Sequence, residues 1–239
     1  MKFIVILCAL ISCLVFANNE TPKLKISQIA ENVYQHISYK MIDSYGMVPA
    51  SGLVVVDGSD AYIIDTPWTV ADTENLITWI KSKGLTLKSS VVTHSHEDAS
   101  GGIVLLNNLQ VKTYATTLTN KLLALEKRQK SSEEISNNPF ALVNGLVEVF
   151  YPGAGHTQDN IVVWLPKARI LFGGCFVKSL KSKNLGYTGN ASITDWPESI
   201  QSVLNKYPNI EIVVPGHGNV GDMSLLKHTK QLALSAKGR

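Results

Sequence analysis

The segment Val91-Val92-Thr93-His94-Ser95-His96-Glu97-Asp98-Ala99-Ser100-Gly101-Gly102 decides how the rest of the chain is read, because it sets three metal-type donors at the end of an apolar run. Ser89 to Thr93 ends in β-branched residues, lacks Gly and Pro, and predicts a buried strand. Strand residues two apart point to one face, so His94 and His96 are expected to project together, with Asp98 two positions further on. Gly101-Gly102 allows a sharp turn before the apolar run Ile103 to Leu109. Two neutral imidazoles at a strand end can hold a first-row metal, and a nearby carboxylate can hold a second metal or orient bound water. Taken alone, His-x-His is equally a polar turn after a strand.

The chain has 239 residues, enough for one large domain or two halves sharing a core. Its 45% hydrophobic and 17% charged residues are ordinary for a globular protein. A net charge of +3 with dispersed basic residues argues against a nucleic-acid partner. Outside the N-terminus no apolar run reaches the roughly 18 residues a spanning helix needs, so no membrane-spanning segment is expected in the folded protein. Met1-Lys2 followed by the apolar stretch Phe3 to Ala17 reads as a secretory signal cut after Ala17, leaving a single domain of two similar halves over 18–239, expected in the periplasm. Leu10-Ile11-Ser12-Cys13 also fits a lipoprotein cleavage box that would anchor the chain at Cys13, although Leu14 to Phe16 carry the apolar run past it. Cys8 and Cys13 lie in the signal, so the mature chain keeps Cys175 alone. It has no internal disulfide partner, and in an oxidising compartment burial or a metal would protect it.

From Lys23 to Lys40 the pattern suggests strands. Met41 to Ala50 reads as a loop with apolar residues near a Gly tip, with Tyr45 and Met47 either covering something or tucked back, and Gly52 to Val56 as a firm strand. Ala61 to Ile64 is a further strand, closed by Asp65-Thr66-Pro67-Trp68. Ala71 to Lys83 reads as a helix with Leu76, Ile77 and Ile80 on one face and Gly84 at its end. After the His94 segment come a short strand Val111 to Tyr114, a helix Thr117 to Lys130, and a polar connection Ser131 to Asn138. The second half repeats this outline. Strands are expected at Val147 to Tyr151, Ile161 to Leu165, Arg169 to Phe172 and Ile210 to Val214, with helices at Trp196 to Tyr207 and Met223 to Ala236. Two strand-rich halves flanked by helices suggest two sheets packed face to face with helices outside.

Three more donor-type residues stand at strand ends beside glycine: His156 in Gly153-Ala154-Gly155-His156-Thr157, Cys175 in Gly173-Gly174-Cys175, and His217 in Pro215-Gly216-His217-Gly218. Glycine permits turns that would aim these side chains into one cleft. Singly each reads as a buried small hydrophobe or a turn histidine. Six donors in four glycine-flanked turns are hard to obtain without a metal site.

With THSHEDASGG, GAGHTQDN, FGGCFVKS and VPGHG in that order, nearly the whole mature chain resembles the metallo-beta-lactamase superfamily, and within it the class B, subclass 1 enzymes. The resemblance implies an α/β (α+β) fold, the four-layer αββα sandwich with two mixed sheets face to face. It implies two Zn²⁺ per monomer, the first on His94, His96 and His156 and the second on Asp98, Cys175 and His217, with Asp98 also catalytic. The implied activity is hydrolysis of the β-lactam amide of penicillins, cephalosporins and carbapenems by a metal-bound hydroxide, without a covalent intermediate. Superfamily relatives with a His directly after the motif Asp are glyoxalase-like or nuclease-like, and here Ala99 follows Asp98.

Lys178 matches the family lysine that pairs with the substrate carboxylate, and Asp65 the position that hydrogen-bonds a metal histidine and fixes its tautomer. The Met41 to Ala50 loop matches the mobile flap, with Tyr45 and Met47 offering apolar area, and Trp68 an aromatic wall to the same cleft. Many members read Leu-Gly-Asn where this chain has Leu185-Gly186-Tyr187, so the asparagine credited with contacting the β-lactam carbonyl is replaced, and a phenol could donate a similar bond. His36 and His228 have no motif support and read as structural. A zinc hydrolase of the same fold acting on thioesters or other esters is the competing activity, and a non-catalytic zinc-binding protein the competing class. No feature calls for an obligate partner, and a monomer is expected.

Overall fold

A computed structural model describes residues 21–238, so the signal segment and Cys13 lie outside the described residues. The first half runs β1 (Lys25–Ala30), β2 (Val33–Ile42), β3 (Gly46–Asp57), β4 (Asp60–Ile64), α1 (Val70–Ser82), β5 (Thr86–Val91), α2 (Glu97–Ser100), α3 (Ile103–Asn108), β6 (Lys112–Thr116), α4 (Thr117–Leu125) and β7 (Glu133–Ile135). The second half runs β8 (Phe140–Val143), β9 (Val147–Phe150), β10 (Val162–Leu165), β11 (Ile170–Lys178), α5 (Trp196–Lys206), β12 (Ile212–His217) and α6 (Ser224–Lys237). The first seven strands form one sheet in sequence order, antiparallel from β1 to β4 and parallel from β4 to β7. The other five form a second sheet in the order β12-β11-β10-β9-β8, with only the β11–β12 pair parallel.

Both faces of each sheet are covered, as the near-continuous apolar runs of the inner strands require. On β3, Leu53 and Val55 meet Val149, Val163, Phe172 and Val214 of the second sheet, while Val54 and Val56 face Leu76 and Ile80 of α1. On the outer side of the second sheet, Val162, Leu171 and Val213 pack against Trp196 and Ile200 of α5 and Leu225 of α6. The two-residue period of the strands thus becomes four layers, αββα. Leu53 is fully buried between the sheets, where truncation to Ala costs about 2–5 kcal/mol. Among the described residues no helix is long and apolar enough to cross a membrane.

Several elements differ from the sequence reading. Met41 to Ala50 is not a loop: β2 and β3 pair without a break through Met41↔Met47 and Ile42↔Gly46, and only the turn at Asp43–Tyr45 projects. The expected strand through Thr93 ends at Val91, and α4 ends at Leu125 rather than Lys130. There Lys127 takes a left-handed conformation while Arg128 N–H donates to the Leu123 carbonyl, a helix stop made without the usual glycine. The polar connection after it contributes β7, which pairs with β6. Finally, β11 continues to Lys178 through register shifts around Gly174, so Cys175 sits on an irregular strand rather than past its end.

Candidate metal centre

The His94 segment leaves β5, turns, and enters α2 with His96 as the residue that caps its start. The two histidines therefore meet through a turn, not through strand alternation, and their rings lie edge to face with centroids 4.8 Å apart. His156 arrives from the loop between β9 and β10, its ring 5.2 Å from His94 and 5.1 Å from His96. Asp98 rises from α2, Cys175 from β11 and His217 from the end of β12. The Cys175 Sγ lies 3.0 Å from Asp98 Oδ2 and 3.2 Å from His217 Nε2. His217 Nε2 is 3.1 Å from the same carboxylate oxygen. His94 Nε2 stands 3.5 Å from Asp98 Oδ1 and joins the two groups.

The chemistry of these six side chains fits a cation better than it fits their own company. His94 Nε2 and Asp98 Oδ1, which face each other inside the cluster, are buried without a hydrogen-bond partner, which is costly unless something satisfies them. Burial lowers His94 to about 4 and holds His156 well below its ordinary value, so both rings are neutral, the form that donates a lone pair. Burial would raise Asp98, but the hydrogen bonds from His217 and Cys175 help to outweigh it and keep the carboxyl well below the usual range. Burial and then the Asp98 charge push the Cys175 thiol well above its ordinary value. Without a cation that sulfur is a thiol facing a carboxylate; with one it is a thiolate ligand. His94, His96 and Asp98, and separately Asp98, Cys175 and His217, bring donor atoms within 4.8 Å of one another.

For His217 and His94 the ring nitrogen turned away from the cluster has a protein acceptor that sets the tautomer, whereas the outward Nδ1 of His156 has none. His217 Nδ1–H donates to the Pro49 carbonyl of β3 at 2.6 Å. For His94 the partner is Thr93 Oγ1, 3.2 Å from Nδ1. Asp65 was expected to bond a metal histidine directly, and this is corrected: its Oδ1 and Oδ2 accept from Thr93 N–H at 2.6 Å and Thr93 Oγ1–H at 2.7 Å, so it reaches His94 only through Thr93. The reason is the left-handed backbone at Asp65, with its carbonyl 3.0 Å from His36 Nε2. Burial pushes the Asp65 carboxyl well above the usual range against the two bonds from Thr93, and a cation beyond His94 favours the carboxylate.

The donors open on a cleft of about 790 Å³. Lys178 lines it with its side chain almost enclosed, Nζ 5.4 Å from the Trp196 ring and its backbone N–H held by Thr229 Oγ1. Tyr45 at the hairpin tip, Trp68 and Tyr187 also line it. Met47, expected there, does not; Ile42 and Val48 of the same hairpin do, because alternation along the ribbon puts Met47, with its register partner Met41, on the opposite face. Tyr187 and Asn190 stand beside His96.

Several residues that support the site have no role assigned by the sequence reading. Arg128 donates from Nη1 to the Ser95 carbonyl at 2.5 Å and from Nη2 to Ser100 Oγ at 2.7 Å, clamping the turn that bears His94 and His96. Asp159 Oδ2 accepts from Ser95 N–H at 2.8 Å on the other side of that turn. Lys40 of β2 pairs with Glu97 of α2 across the cleft wall. The left-handed Lys127 that aims Arg128 has no glycine signature, which is why the sequence hides it.

The chain matches the family model described as the metallo-beta-lactamase superfamily over residues 45–217. It is 42% identical over 235 residues to the metallo-beta-lactamase type 2 of Pseudomonas aeruginosa, covering 98% of this chain and 94% of that protein. The crystal structure of VMB-1 superposes with a TM-score of 0.90 at 64% identity, covering 91% of this chain and all of the other. The metallo-beta-lactamase FIM-1 from Pseudomonas aeruginosa, solved in its mono-zinc form, superposes with a TM-score of 0.85 at 30% identity over 90% of this chain and 97% of that one. The αββα layers, the order of the donors along the chain and these likenesses agree: the chain belongs to the metallo-beta-lactamase superfamily.

Proposed function

We propose that this protein is a zinc-dependent hydrolase of the β-lactam amide, with two zinc ions per monomer, one on His94, His96 and His156 and one on Asp98, Cys175 and His217. The observation that carries the reading is the meeting of all six side chains in overlapping groups of three beside one cleft, with His94 Nε2 and Asp98 Oδ1 buried and unpartnered among them. Bound zinc supplies Lewis acidity and makes coordinated water acidic enough to ionise near neutral pH.

The chain supplies the rest. Asp98 reaches both groups, Oδ1 lying 3.5 Å from His94 Nε2 and Oδ2 3.1 Å from His217 Nε2, and its ionised carboxylate can accept a hydrogen bond from a water and orient it between them. Lys178 places a cation in a nearly dry wall, where it binds a substrate carboxylate more strongly than a solvated lysine would. Trp68, Ile42, Val48 and Tyr45 offer apolar surface to the ring system and exclude water from it. Opening the strained amide puts charge first on the carbonyl oxygen and then on the departing nitrogen, and a cation held by Asp98, Cys175 and His217 would stabilise that nitrogen until it is protonated. We place the mature enzyme in the periplasm as a monomer, released by cleavage after Ala17.

The test is turnover of a penicillin, a cephalosporin and a carbapenem beside a thioester, with and without a chelator. Ring opening abolished by the chelator and restored by zinc is the expected result. Chelator-resistant turnover, or thioester cleavage alone, would overturn the proposal.

A further inference from the structure

Tyr187 lines the cleft, yet its hydroxyl is already engaged. It lies 3.2 Å from Asn190 Oδ1, and the same amide oxygen is 3.0 Å from His96 Nε2. An amide oxygen only accepts, so both neighbours must donate to it. His96 then carries its proton on Nε2 and turns the Nδ1 lone pair inward, where it stands 3.2 Å from His156 Nε2. The Tyr187 ring meets the His96 ring edge on at 5.7 Å. Space is made for this arrangement in the backbone: a Cβ at position 189 would lie 2.4 Å from the Tyr187 hydroxyl, so Gly189 is the residue that lets the phenol reach Asn190.

We propose that Tyr187 is a positioning residue for the metal centre rather than a donor to the substrate. Its single proton fixes Asn190, and Asn190 fixes the His96 tautomer. With that proton committed, the phenol faces the cleft as an acceptor and gives no hydrogen bond to a β-lactam carbonyl. The inference rests on the metal-centre reading, but zinc affinity is measured without substrate. A chain that binds zinc through His96 and hydrolyses some other amide or ester would leave it standing.

The mature chain and its Tyr187→Phe, Asn190→Asp and Asn190→Leu variants are compared for zinc affinity by competition with a chromogenic chelator. They are also compared for the imidazole nitrogen NMR signature of His96 and for kcat and KM on a penicillin. Asn190→Leu should weaken zinc binding by about 10–100-fold, the usual effect of losing such a partner. Asn190→Asp, which can only accept, should retain wild-type affinity or exceed it and keep the proton on Nε2. Tyr187→Phe should weaken zinc binding by about 3–10-fold, the worth of one neutral hydrogen bond, with KM changed by less than about twofold. A Tyr187→Phe variant with raised KM and unaltered zinc affinity would make the phenol a substrate donor and overturn the proposal. So would an Asn190→Asp variant as weak as Asn190→Leu, since His96 would then be accepting a bond rather than donating one.

Discussion

Replacing Thr93 by Val keeps the shape of a fully buried residue and removes only its hydroxyl. That hydroxyl donates to Asp65 Oδ2 at 2.7 Å and faces His94 Nδ1 at 3.2 Å. Having one proton, already given to Asp65, it receives the His94 N–H. Thr93→Val therefore leaves one carboxylate oxygen and one imidazole N–H buried without partners, while Asp65 Oδ1 keeps the backbone N–H at 2.6 Å. A hydrogen bond to a charged group is worth about 1.5–3 kcal/mol and a neutral one about 1 kcal/mol, so the loss is about 3 kcal/mol. For a domain of this size that lowers the thermal midpoint by roughly 6–12 °C. Measured in excess chelator, the shift reports the polar chain itself. Measured by zinc competition, the same variant should lose about 10–100-fold in affinity because the His94 tautomer is no longer fixed. A midpoint within about 2 °C of wild type together with unchanged zinc affinity would refute the role given to Thr93, since a loss of even 1 kcal/mol exceeds that shift.

Burial holds His36 at about 4, against an ordinary value of 6.5, so it is neutral in the fold and charged in the unfolded chain between those limits. The unfolded state binds the extra proton there, so stability is complete above about pH 6.5 and falls by about 3 kcal/mol as pH drops towards 4. His36→Gln should flatten that limb in urea titrations of the chelated protein, and an unaltered limb would assign it to other groups. A Cβ at position 101 would stand 2.2 Å from the Trp68 carbonyl oxygen, a backbone atom that cannot swing aside. Gly101→Ala should cost about 1–3 kcal/mol or more in urea unfolding, and wild-type stability would show that the Trp68 segment yields freely. The Lys40–Glu97 pair is one-third to one-half exposed, so Lys40→Ala should change stability by less than about 1 kcal/mol. It uncovers a carboxylate in the cleft wall, however, and should raise KM for anionic β-lactams at low salt, the difference shrinking at high salt. A KM indifferent to the substitution at both salts would remove Lys40 from the electrostatics of the cleft.

The donors were legible in the sequence because histidine, aspartate and cysteine beside glycine are few, and their order along the chain restricts where they can meet. The two sheets were legible because Leu53 and Val55 alternate with Val54 and Val56, each set with its own apolar partner layer. What escaped is made of common residues whose meaning lies in contacts across the fold. Asn190 reaches His96 over 94 positions, Asp159 reaches Ser95 over 64, and Arg128 reaches Ser95 over 33. The amide and the guanidinium have no local signature, and Asp159, although it stands in GAGHTQDN, shows its partner only in the fold. From sequence alone Met41 to Ala50 reads as a loop, because its apolar residues near a glycine suggest a covered tip. The paired backbone decides otherwise, running the ladder to within a three-residue turn and taking Met47 off the cleft. Asp65 was placed in the right neighbourhood and given the wrong partner, since only the left-handed turn of its backbone hands its carboxylate to Thr93.

The most direct test is the zinc content of the purified mature chain by elemental mass spectrometry, set beside that of Cys175→Ser. Two zinc ions per chain for the former and close to one for the latter, with the His94, His96 and His156 ion retained, is the expected outcome. Equal zinc content in the two proteins, or none in either after dialysis against zinc, would contradict the assignment of these six side chains to a paired metal centre.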